Sequence, residues 1–122
     1  MGVKLIPDFV AKDTIKLTIN NEATVENLST AVFDIVLTST ENSTPVIDLS
    51  YAATAGSGKL AWDTSSDIPN KTVVITIPSS STNISTGLYL AEIKRTIGTT
   101  VITLGRSGKD GVDPVKVFKS LN

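Results

Sequence analysis

The chain contains no cysteine and no histidine. The first absence excludes disulfide staples, thiolate metal ligands and cysteine nucleophiles, and the second excludes imidazole ligands and every His-dependent triad. A basic surplus is missing too: 11 Lys and Arg stand against 12 Asp and Glu. Nucleic acid and anionic membrane both need a concentrated basic surface, so neither is expected as a partner. Apolar runs are only a few residues long, and none reads as a membrane-spanning helix.

The N-terminus, Met1-Gly2-Val3-Lys4-Leu5-Ile6, lacks the apolar stretch of a secretory signal, which predicts synthesis in the cytosol. Gly2 fits a myristoylation motif, but Ile6 stands where Ser or Thr is required. Asn-x-Ser/Thr sequons occur at Asn27, Asn42, Asn70 and Asn83. Without a signal they read as turn chemistry rather than glycan sites.

What the chain does have is alternation. Apolar residues recurring at every second position mark a strand with one buried face. In residues 13–20, Ile15, Leu17 and Ile19 share a face, opposite Thr14, Lys16 and Thr18. Residues 31–38 repeat this with Ala31, Phe33, Ile35 and Leu37 inward and Asp34 outward. Shorter segments follow at 46–50 and at 59–63, where Leu60 and Trp62 oppose Lys59, Ala61 and Asp63. Residues 72–77 are rich in β-branched side chains and offer Val73, Ile75 and Ile77 to a core. Residues 87–95 give Tyr89, Ala91 and Ile93, and residues 99–104 pair with them across a turn at Ile97-Gly98.

Seven such segments are separated by turn-rich stretches such as Asn20-Asn21 and Gly56-Ser57-Gly58, with no sustained helical stripe. The expected fold is all-β: a two-sheet, antiparallel, immunoglobulin-like sandwich of about seven strands, forming one domain over residues 1–122. Residues 1–10 read as an arm or a first strand. Residues 106–122 form a C-terminal extension, in which Asp113-Pro114 could cap a short helix but Val115 and Val117 favour a last strand.

Several motifs invite chemistry and fail its requirements. Gly56-Ser57-Gly58-Lys59 would need Gly at position 53 and Ser or Thr at 60 to be a phosphate loop, but these are Ala53 and Leu60. Asp34, Asp48, Asp63 and Glu92 fall on outward faces or near strand ends, the pattern of a solvated surface rather than of a carboxylate pair across a sugar. Residues 63–67, Asp-Thr-Ser-Ser-Asp, lack the acidic density and the glycine of a calcium loop. No catalytic residue, metal site or cofactor is expected, and no small-molecule ligand. Trp62 and Tyr89 lie on the apolar register, which favours core over a stacking platform. Tyr89 also suits a corner tyrosine whose hydroxyl reaches backbone.

The order of these features resembles the small immunoglobulin-like modules of tailed-bacteriophage virions, notably the N-terminal domain of baseplate upper proteins. The matching stretches are Lys12-Asp13-Thr14-Ile15-Lys16-Leu17, Ala31-Val32-Phe33-Asp34-Ile35 and Gly58-Lys59-Leu60-Ala61-Trp62. Thr86-Gly87-Leu88-Tyr89-Leu90-Ala91-Glu92-Ile93 and Thr103-Leu104-Gly105 complete the set, which covers most of the chain. The resemblance implies a non-enzymatic virion protein, made in the host cytoplasm, of the tail, neck, baseplate or capsid decoration. It would bind copies of itself and other virion proteins. The alternative is a carbohydrate-binding or adhesin-like module, which would need an exposed aromatic platform. Apolar residues at the two ends, Val3, Leu5, Ile6, Phe9, Val115, Val117, Phe118 and Leu121, either dock on neighbours or fold back on their own domain.

Overall fold

A computed structural model describes residues 4–40, 44–109 and 111–121. Nine strands run in chain order: β1 (Phe9–Val10), β2 (Ile15–Asn20), β3 (Val32–Ser39), β4 (Pro45–Ala52), β5 (Leu60–Ala61), β6 (Thr72–Ile77), β7 (Gly87–Ile97), β8 (Thr100–Ser107) and β9 (Val115–Phe118). A single 3-10 turn, Leu28–Thr30, is the one helical element among the described residues. No helix there is long and apolar enough to cross a membrane.

The larger sheet has seven strands in the order β1-β9-β7-β3-β4-β5, with β8 also on β7; the smaller is the pair β2-β6. In the small sheet Ile15 lies opposite Ile77, Leu17 opposite Ile75 and Ile19 opposite Val73. Cross-strand partners share a face, so alternation in both strands builds one apolar surface. In the large sheet β3 is central. Its Phe33, Ile35 and Leu37 lie opposite Tyr51, Leu49 and Ile47 of β4 on one side and Arg95, Ile93 and Ala91 of β7 on the other. The inward residues of both sheets belong to one buried cluster, in which the Phe33 and Trp62 rings meet edge to face at 5.9 Å.

The all-β expectation holds. The strand number and the uniform antiparallel pairing do not: the described residues form nine strands, and β1–β9 and β4–β5 run parallel. Each parallel ladder involves only two residue pairs, too short to leave a periodic signal. Alternation finds strands, but it does not choose their partners. A second correction concerns β5, where Leu60 was expected inward beside Trp62. Leu60 is 41% exposed, and Trp62 lies in the core after the strand has ended.

Polar ties join the sheets. The Tyr51 hydroxyl on β4 donates to the Thr76 carbonyl on β6 at 2.8 Å. After β5 the backbone crosses over, with Trp62 N–H donating to Ala52 of β4 and Asp63 N–H to Val74 of β6. At one end of the core, buried Arg95 donates from Nη1 to Asn21 Oδ1 at 2.7 Å, with Glu22 Oε2 3.5 Å away. Another tie is between loops: Thr82, fully buried, donates its hydroxyl to the Asp13 carbonyl at 2.6 Å.

Candidate interaction edge

Sheets of unequal size leave edges, and an edge strand presents unpaired backbone N–H and C=O groups. Most of the edges in this fold carry a guard. β9 is covered by β1. The outer side of β6 is covered by residues 63–67: Asp67 N–H donates to the Thr72 carbonyl, and the Ser66 hydroxyl accepts from Val74 N–H at 2.8 Å. β4 begins with Pro45, carries exposed Asp48, and is partly covered by β5. β2 carries Lys16 as its second residue, with its side chain 65% exposed.

β8 differs. Among the described residues its only ladder partner is β7, along Ala91–Ile97. Residues 96–105, Thr-Ile-Gly-Thr-Thr-Val-Ile-Thr-Leu-Gly, contain no charge and no proline. Val101 is 57% exposed and Ile102 42%. Val101 lies opposite Thr96 on the outer face of the sheet, and Ile102 opposite Arg95 on the inner face. Gly98 starts the two-residue turn with φ of 62°, while Thr99 keeps a negative φ. That pattern is the tight hairpin turn with glycine first, which matches the strand twist. From the turn, the β7–β8 register is continuous until the shift between Ile93 and Lys94.

No family model matches the chain, and no curated protein matches it.

Of the end residues predicted as contacts, Ile6, Phe9, Val115 and Val117 are buried in the domain's own core. Leu5 packs partly against that core. This corrects the docking expectation for those side chains: β9 continues along β7 where β8 leaves off, and β1 closes over β9. Phe118 and Leu121 are exposed, at 43% and 97%, and Val3 lies outside the described residues. Lys116 Nζ sits 5.2 Å from the Phe118 ring. The sequence reading missed Val101 and Ile102. The signal was present: two adjacent apolar residues in one strand must face opposite ways, so both cannot be covered by a single layer.

The motifs that invited chemistry are structural. Gly56 and Lys59 exchange backbone hydrogen bonds, both 3.0 Å, around Ser57 and Gly58 at φ of 53° and 78°. The amides that would cradle a phosphate close a hairpin turn instead. Asp63 Oδ2 accepts from the Thr76 hydroxyl at 2.7 Å and lies 3.6 Å from Lys16 Nζ. Asp67 accepts from the Asn70 side chain. Glu92 pairs with Arg106 at 2.9 Å and Lys94 at 3.4 Å, and Asp34 accepts from the Ser50 hydroxyl. No cluster of three or more carboxylates able to hold a metal occurs among the described residues. A depression of about 310 Å³, lined by Ser39, Thr40, Val46, Ser85, Thr86 and Leu88 among others, has Tyr89 as its one ionisable described lining residue. The Tyr89 hydroxyl is engaged by the Ser85 carbonyl at 2.6 Å, and burial pushes its pKa above the ordinary value.

Proposed function

We propose that this chain is a non-enzymatic structural subunit of a tailed-phage virion, in the tail, neck, baseplate or capsid decoration. It is an immunoglobulin-like sandwich that acts through contacts with copies of itself and other virion proteins. Three features support the finer fold reading: two facing sheets with β2-β6 on one side, a first strand running parallel to the last, and a corner tyrosine at the start of β7. The assembly reading is carried by one observation: the β8 edge is uncharged from Thr100 to Gly105 and, among the described residues, has no ladder partner but β7. A neutral open edge of this kind is an aggregation liability in a protein that works alone. It is an asset in a subunit whose neighbours complete its sheet.

The carboxylates support the absence of catalysis, since Asp34, Asp63 and Glu92 each have a separate hydroxyl or cationic partner. The carbohydrate-binding alternative gains no support: Trp62, Tyr51 and Tyr89 are buried, and of the aromatic residues only Phe118 is exposed. The test is the protein composition of purified phage particles from the source of the chain. The reading requires the chain in intact particles at many copies. Fully infective particles that lack it contradict the reading.

A further inference from the structure

We infer that β8 is a self-pairing edge, and that two copies of the chain join antiparallel through it to make one continuous sheet. The inference deepens the assembly reading and rests on it for its biological setting, but its chemistry is local to β8.

Geometry selects the register. Ile97 and Thr100 flank the two-residue turn and pair with each other, and the turn hydrogen bond joins the first carbonyl to the fourth N–H. Bonded and non-bonded pairs then alternate along an antiparallel ladder. Thr100 and Ile102 therefore direct their backbone groups to β7, and Val101 and Thr103 direct theirs outward. A second β8 can use those outward groups when Val101 of one copy lies opposite Thr103 of the other. That places the two-fold axis at Ile102, which faces its own symmetry mate as a non-bonded pair, where side chains come closest. Centring on Val101 would leave only residues 100–102 of the strand to pair, and centring on Thr103 would carry the ladder across the register shift past Thr103 as far as Arg106.

Charge selects the occupant. An edge guarded by opposite charge would carry charge itself, and this one carries none from Thr96 to Gly105. A second β8 has the same length and the same neutral outward groups. In the register centred on Ile102 its Arg106 lies opposite the turn at Gly98 rather than opposite another Arg106. The two Arg106 residues are then about 27 Å apart along the strands, so like charges do not meet. Val101 and Ile102, exposed on opposite faces in the single copy, gain cover on both. An interface of one strand pair is small and weak alone, and repetition in a particle multiplies it.

Two measurements on the purified full chain test this. Sedimentation equilibrium over a rising concentration series is expected to show a monomer–dimer equilibrium. Thr103→Pro, which removes one outward N–H, and Ile102→Lys are each expected to shift it to monomer while keeping the β circular-dichroism spectrum. Phe118→Ser, which alters an exposed apolar residue away from the edge, should leave the equilibrium unchanged. Because the chain has no cysteine, Ile102→Cys supplies a register-specific probe. Under mild oxidation with oxidised glutathione it should form a disulfide-linked dimer, and Arg106→Cys should not. Wild-type protein that stays monomeric at every concentration overturns self-pairing, even if the edge takes a strand from another protein. So does a dimer unaffected by both edge variants, or one that crosslinks at Arg106→Cys in preference. None of these outcomes bears on whether the chain occurs in particles, which particle composition decides separately.

Discussion

The hydroxyl of Tyr89 donates to the carbonyl oxygen of Ser85 at 2.6 Å, tying the start of β7 to the loop that enters it. Tyr89 is 4% exposed while Ser85 is exposed, so the bond is partly buried, at the rim of the core. Tyr89→Phe keeps the ring and leaves the Ser85 carbonyl without this donor. The expected loss is about 0.5–1.5 kcal/mol in urea unfolding, with the β spectrum unchanged.

Arg95 and Glu22 form an ion pair whose two halves differ in burial: the Arg95 side chain is 5% exposed and that of Glu22 68%. The pair itself is worth little at that exposure, and the Arg95 stem and its bond to Asn21 carry the energy. Glu22→Ala is expected to change stability by less than about 0.5 kcal/mol, and Arg95→Ala to cost about 1–3 kcal/mol. Equal effects in thermal or urea melts would show that charge, rather than packing, closes this end of the core.

Burial, with the Asp63 carboxylate as a second cause, pushes the Tyr51 hydroxyl up to about 12 from the model-peptide 10.0. The folded state holds this proton more tightly than the unfolded chain does. Its contribution to stability is therefore fully present below about pH 10 and is lost as pH rises towards about 12. Urea melts across this range are expected to show falling stability, with a shallower fall in Tyr51→Phe. The ultraviolet tyrosinate signal should lag that of free tyrosine, since Tyr89 is pushed the same way by burial.

Val115 and Val117 are at 0% and 2% exposure, and their strand is the platform for β1. Deleting residues 113–122 removes both side chains and leaves Phe9 without its ladder partner. The shortened chain is expected to lose cooperative unfolding, because two buried β-branched side chains outweigh ordinary domain stability margins when a strand pair goes with them. Leu121→Ser, at a position 97% exposed, should shift stability by less than about 0.5 kcal/mol.

Much of the core was legible because alternation is a direct consequence of strand geometry. Ile15, Leu17, Phe33, Ile35, Val73, Ile75, Tyr89, Ala91 and Ile93 were all placed inward by parity, and all are buried. Arg95 shares that parity with Ile93, yet charge masked it; only the tertiary partner Asn21 makes it a core residue. The parallel contact of β1 with β9 joins opposite ends of the chain, and nothing local encodes it. The same gap explains why the apolar ends left docking and folding back both open: a run such as Val115-Lys116-Val117 specifies a buried face without specifying what covers it. The candidate edge escaped notice because pairing with β7 accounts for only one side of β8.

Copy number of the chain per purified particle, compared between wild type and Thr103→Pro, tests the account most directly. The prediction is many copies of the wild type per particle, and a folded Thr103→Pro protein that stays in the soluble fraction and is depleted from particles. Wild type absent from particles, or Thr103→Pro incorporated at the full wild-type number, would contradict it.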